Sequence, residues 1–130
     1  EMLEYLLQIT GPADVSLTTW TASETPMRNI IRLIAGGQIR SLTALFDHRI
    51  DRRKPKTLQL AMGMNARIGL VKCHAKVLVI TNENWAVSVV ASANLTRNPR
   101  LEAGVICTGR DVAEFHKTWI ENEYRASTTD

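Results

Sequence analysis

Apolar residues recur along this chain in two rhythms, a helical one and an alternating one, and the switches between them lay out its elements. Leu3, Leu6 and Leu7 share a helical face, with Ile9 beside them, which predicts a short amphipathic helix over 1–10. Gly11-Pro12 stops it. From 13 to 21 the pattern alternates, with Val15, Leu17 and Thr19 set against polar neighbours, and predicts a strand. Ser23-Glu24-Thr25-Pro26 reads as a helix entry, with Thr25 as N-cap and Pro26 at the first helical position. Met27, Ile30, Ile31 and Ile34 then fall at core spacing up to Ala35, and Gly36-Gly37 closes the helix. Residues 39–46 (IRSLTALF) predict a second strand, apolar enough to lie parallel to the first through a right-handed crossover.

A second helix is predicted over 57–64, with Gly63 and Gly69 blurring its end. Two Val- and Ile-rich runs, 67–80 and 85–94, form the arms of a hairpin about Thr81-Asn82-Glu83-Asn84. A loop over 95–100 leads to a short strand, 102–107. Thr108-Gly109-Arg110-Asp111 then opens a last helix with Val112, Phe115, Trp119 and Ile120 on its inner face. After the first short helix the order is β-α-β-α-β-β-β-α, the pattern of a single α/β domain with a mixed β-sheet flanked by helices. No repeat, low-complexity segment or linker interrupts it, and 127–130 reads as a frayed end.

Composition narrows the classes. The chain has 130 residues, 45% hydrophobic and 22% charged, ordinary values for a globular domain able to bury a core. No run of eighteen apolar residues is present, so no transmembrane helix and no membrane partner are expected. Residues 1–9 are too short and carry too many acids, Glu1 and Glu4, for a signal peptide. A cytoplasmic location is expected; opening on Glu1 rather than Met, the chain is expected to have lost an upstream piece. Cys73 and Cys107 fall in predicted interior strands and read as buried reduced thiols. His48, His74 and His116 are scattered, with neither CxxC nor HxxxH, so neither a metal site nor a cofactor is expected.

The net charge of +3 and a pI near 9.1 lean mildly toward polyanionic partners. Five basic residues, Arg49, Arg52, Arg53, Lys54 and Lys56, crowd the stretch 47–56, and Arg97 and Arg100 lie in the 95–100 loop. Together they are expected to contact a nucleic-acid backbone, a contact that gives affinity but little sequence preference. His48 and His116 read as ordinary residues, and Trp20, Trp85 and Trp119 as core or interface residues.

The chemistry-bearing residues cluster in the hairpin. Residues two apart on a strand share a face, so His74 pairs with Lys76 and Ser92 with Asn94. A hairpin centred on Glu83 sets His74 opposite Ser92 and gathers four polar side chains on one apolar ribbon. His74-x-Lys76, an aliphatic strand, Ser92-x-Asn94, then Asn98 and Glu102 ahead of Gly104-Val105 resemble the signature of the phospholipase D superfamily, HxKxxxxD followed by GSxN and a later Glu. Thr81 stands where that signature has Asp, and Ala91 where it has Gly.

The resemblance implies a metal-independent phosphodiesterase. Lys76 and Asn94 would hold the non-bridging oxygens, one histidine would form a phosphohistidine intermediate, and a second would protonate the leaving oxygen. Glu102 would hold the imidazole in the required tautomer. The chain carries one HxK, so the second histidine is expected from an identical subunit, with the site on the two-fold axis of a homodimer. The leading expectation is a nuclease, on DNA ahead of RNA. A decayed domain that binds nucleic acid without cleaving it is the alternative, and a phospholipid-active enzyme stands third.

Overall fold

The computed structural model describes residues 2–95 and 101–128. The element order is α1 (Met2–Thr10), β1 (Ala13–Thr19), α2 (Glu24–Ala35), β2 (Ile39–Asp47), α3 (Ile50–Arg53), α4 (Pro55–Met62), β3 (Arg67–Val71), β4 (Val77–Thr81), β5 (Ala86–Ala91), β6 (Gly104–Thr108) and α5 (Arg110–Thr128). The strands form one mixed sheet in the order β3-β2-β1-β4-β5-β6. The expected α/β fold with a mixed sheet is therefore present. β1 and β2 run parallel through the α2 crossover, and β3 joins β2 in parallel after α3 and α4. β4, β5 and β6 add antiparallel.

Alternation along the strands decides which helices go where. Val15, Leu17, Leu42, Ala44, Phe46, Ile80, Val87 and Val89 pack with Leu3, Leu6, Leu7, Met27, Ile30, Leu33 and Ala61 in one core, so α1, α2 and α4 share a face. Leu45, Val77, Val79 and Ala86 meet Ala113 and Ile120 of α5 on the other. Gly69 lets α5 sit this close. A Cβ there would lie 2.9 Å from Leu45 Cδ2 and 2.7 Å from Ser127 Oγ.

Several expectations are corrected. The stretch 67–80 is two strands, not one hairpin arm. β3 is an edge strand beside β2, whereas β4 lies beyond β1, so Lys72–Lys76 crosses the carboxyl ends of two strands. Three strand spacings are about 14 Å, and the six residue steps from Val71 to Val77 reach about 20 Å. The β4–β5 hairpin exists, with Val77 opposite Val90 and Thr81 opposite Ala86. Asn82 Oδ1 closes its turn by accepting from the Asn84 and Trp85 amides, each at 2.9 Å. This register is one residue off a turn centred on Glu83, so His74 and Ser92 are not cross-strand partners, and both lie outside the strands.

α2 begins at Glu24 with Ser23 as N-cap, so Thr25 is inside the helix rather than capping it. Leu33 is buried although it lies outside the predicted core set, while Ile31 and Ile34 are only half-buried. Of the basic run, Arg52 and Arg53 lie in α3 and Lys56 in α4, while Arg49 caps α3 and Lys54 joins the two helices. On α5 the inner line is Ala113, Ile120 and Tyr124; Val112 and Phe115 are 40% and 67% exposed. Ile9 is exposed as well. Cys73 is buried, although in the crossing loop rather than a strand, and Cys107 is exposed because β6 is an edge strand with solvent on both faces; both thiols are free.

Candidate functional site

The three parallel strands end on the same edge of the sheet, and the residues just past those ends build the site. Trp20 comes after β1, His48 and Arg49 after β2, and Lys72–Lys76 after β3. The carboxyl ends of parallel strands are the usual place for ligands in open α/β sheets, because loops there are free of the ladder.

The crossing loop is pinned by side chains from both strands it passes over. Asp47, buried at the end of β2, accepts from the Cys73 amide at 3.1 Å through Oδ1. Its Oδ2 takes the Arg49 Nε at 2.8 Å and the Arg49 amide at 3.2 Å. Burial pushes the Asp47 carboxyl up, but the hydrogen bonds from the Arg49 side chain and from the Cys73 and Arg49 amides outweigh it and hold the group below the usual aspartate value. Thr18, near the end of β1, donates from Oγ1 to the Ala75 carbonyl at 2.9 Å and accepts from the Val77 amide at 3.1 Å. Desolvation pushes the neighbouring Cys73 thiol up, so it stays protonated.

On this anchored loop His74 is exposed and Lys76 is half-buried. Lys76 Nζ lies 3.2 Å from His74 Nδ1 and donates to the His74 carbonyl at 2.8 Å. Asn94 is fixed through Oδ1, which accepts from the Trp20 amide at 3.1 Å and from Thr19 Oγ1 at 3.2 Å. That orientation leaves the Nδ2 donors as its outward-acting group. Asn94 and Lys76 border one apolar recess of about 240 Å³, walled by Leu17, Leu78 and Val89. The Lys76 carbonyl receives the Ala91 amide at 3.1 Å, which ties the two motif segments together through backbone.

Ser92 and Glu102 form a separate pair. Ser92 Oγ donates to Glu102 Oε2 and accepts from the Ala103 amide at 3.1 Å. Within one protomer the Glu102 carboxylate is bonded to Ser92, and among the described residues no hydrogen bond joins it to the His74 ring. Thr81 sits at the far end of β4, buried, with Lys117 Nζ donating to its Oγ1 at 3.4 Å. Five residue steps separate it from Lys76, about 17 Å.

Of the basic residues, Arg49 and Arg53 reach the site. Both guanidinium groups lie over the Trp20 ring, at 5.9 and 4.4 Å from its centroid, and the same ring lies 5.7 Å from the His74 imidazole. Arg52, Lys54 and Lys56 are exposed on the same helical stretch. Arg97 and Arg100, like Asn98, fall outside the described residues. Two neighbours of His74 are not among the site residues expected from the sequence. Trp20 is one, and its place just after a parallel strand is the signal that could have marked it. His48 is the other; it borders the same recess as His74, with Nδ1 3.6 Å from Asp47 Oδ1.

Among the described residues no group of three or more His, Cys, Asp or Glu is placed to hold a metal ion, and no helix is long and apolar enough to cross a membrane. No protein-family model and no curated protein sequence matches the chain.

Proposed function

We propose that the protein is a metal-independent phosphodiesterase acting on nucleic acid, of the phospholipase D type, whose complete site forms between two copies of the chain. The observation that carries the reading is the exposed His74 imidazole held against the Lys76 ammonium, on a loop fixed by Asp47 and Thr18, with Asn94 lining the same recess as Lys76.

Lys76 and the Asn94 Nδ2 donors neutralise and hold the non-bridging phosphate oxygens. A protonated Lys76 can only donate, so at rest Nδ1 of His74 accepts and the ring proton sits on Nε2. Phosphate binding draws the ammonium away and frees the ring for the other tautomer. One His74 then attacks phosphorus, forming the N–P bond as the P–O bond to the leaving strand breaks. The second protomer's His74 enters as the imidazolium and gives its extra proton to that oxygen, leaving a neutral imidazole. It next takes a proton from water, which attacks the phosphohistidine, expels the imidazole and releases the phosphate product. Val90 and Val105 support a partner protomer: they are cross-strand neighbours at the site end of the sheet, yet 46% and 61% exposed.

A second reading, a domain that binds nucleic acid without cleaving it, is favoured by one fact: within a protomer the Glu102 carboxylate is taken up by Ser92. Incubation with plasmid and single-stranded oligonucleotides in EDTA separates the two. Cleavage that disappears in His74→Ala supports the enzyme; binding without cleavage, unchanged in His74→Ala, supports the second reading. Sedimentation at micromolar concentration tests the shared site independently, and a strict monomer that still cleaves would overturn it.

A further inference from the structure

Resting on the nucleic-acid reading above, we infer that Trp20 is a stacking platform for the nucleobase next to the phosphate attacked by His74, and that the substrate is therefore single-stranded. Trp20 is only partly buried, unlike an aromatic residue filling a core. Its main chain is tied to Asn94, whose Oδ1 accepts from the Trp20 amide at 3.1 Å, and its ring lies among His74, Arg49 and Arg53. Its ring centroid lies 5.7 Å from the His74 ring, so a base stacked on Trp20 adjoins the phosphate that His74 attacks.

The cations around the ring differ in kind. Arg49 is held by Asp47 through Nε at 2.8 Å and stays with the loop anchor. Arg53, on the exposed side of α3, meets no carboxylate among the described residues; its side chain lies against the Trp20 ring at 4.4 Å. An exposed cation–π contact is worth less than a base stacked on an aromatic ring. A base therefore displaces the Arg53 guanidinium from Trp20, and the released cation takes the adjoining phosphate. A base inside a duplex is already stacked on its neighbours and paired, so it reaches the ring only at the cost of leaving both. Strand selection comes from that difference, with no base-edge hydrogen bond to impose a sequence.

The test uses the full chain carrying Trp85→Phe and Trp119→Phe, which leaves Trp20 as the sole tryptophan, with His74→Asn to prevent cleavage. It is titrated with an oligothymidylate and with an abasic oligonucleotide of equal length and charge, following tryptophan fluorescence. Quenching by the thymidylate alone, with about tenfold tighter binding than the abasic strand, is expected. In a companion chain, Trp20→Ala should bind both strands equally and Trp20→Phe should keep part of the preference. Equal binding of both strands by the Trp20-bearing chain, without quenching, overturns the platform while leaving the phosphodiesterase reading intact, provided the parent cleaves. A parent chain that neither binds nor cleaves any strand overturns both.

Discussion

Replacing Asp47 isolates the anchoring of the His74 loop from the chemistry proposed for it. In Asp47→Ala the Cys73 amide loses its acceptor at a buried position, which costs about 1–3 kcal/mol. The lost bond to Arg49 adds about 0.5–1 kcal/mol, discounted because the Arg49 side chain is half exposed. Together these remove about 1.5–4 kcal/mol of global stability, measured by urea unfolding. Asp47→Asn keeps a carbonyl oxygen for Cys73 but sets an amide donor where Oδ2 accepted from Arg49, so about 1 kcal/mol is expected. Amide hydrogen exchange supplies the local readout. Cys73 should lose protection in Asp47→Ala, whereas Val77, held by Thr18 Oγ1, should lose less. An Asp47→Ala chain within about 0.5 kcal/mol of the parent, with Cys73 still protected, would refute the anchoring argument, since surface substitutions alone give changes of that size.

Other outcomes rest on the same contacts. Asp47 titrates below the usual aspartate value, so its contribution is complete above the unfolded value of 3.8 and is lost as pH falls through the lower folded one; acid unfolding of Asp47→Asn should lack that component. Thr18→Val strands both the Val77 amide and the Ala75 carbonyl and should cost about 1–3 kcal/mol in urea unfolding, although the shapes match closely. Changing Arg52, Lys54 and Lys56 together to Ala should lower the slope of log affinity against log salt by up to about 2 units on a single strand, and an unchanged slope would remove them from the interface. Thr81→Asp should leave catalysis unchanged, measured as cleavage rate in EDTA, because the position lies at the opposite end of β4; a large gain in rate would contradict the distance argument.

The fold was legible where a short apolar run decided its own state. Val15 and Leu17, or Leu42, Ala44 and Phe46, alternate cleanly, and their burial against helices leaves one parallel solution. The break between β3 and β4 was not legible. Val71 and Val77 flank Cys73 and Ala75, so hydrophobicity runs on without a breaker, and what interrupts the strand is remote: the Asp47 carboxylate and the Thr18 hydroxyl capture the backbone between them. The hairpin register failed by one residue because Asn82 folds its side chain into the turn and shifts its centre. Cys107 was misplaced because an edge strand with exposed faces has the same composition as an interior one, and Val112 and Phe115 because apolar spacing on a helix does not say how far the sheet beneath it extends. Within the site the His74–Lys76 contact was readable from local spacing. The approach of Trp20 and Arg53 depended on which strand ends meet, and that is a property of topology.

The short span between β3 and β4 carries a constraint of its own. Removing two residues between Val71 and Val77 would leave a reach of about 13–14 Å for a gap of about 14 Å, so this segment tolerates almost no shortening. It also cannot be laid down before both strands beneath it are in place. Recovery of binding or cleavage during refolding should therefore coincide with the last event in building the sheet, making the activity a clock for completion of the whole domain.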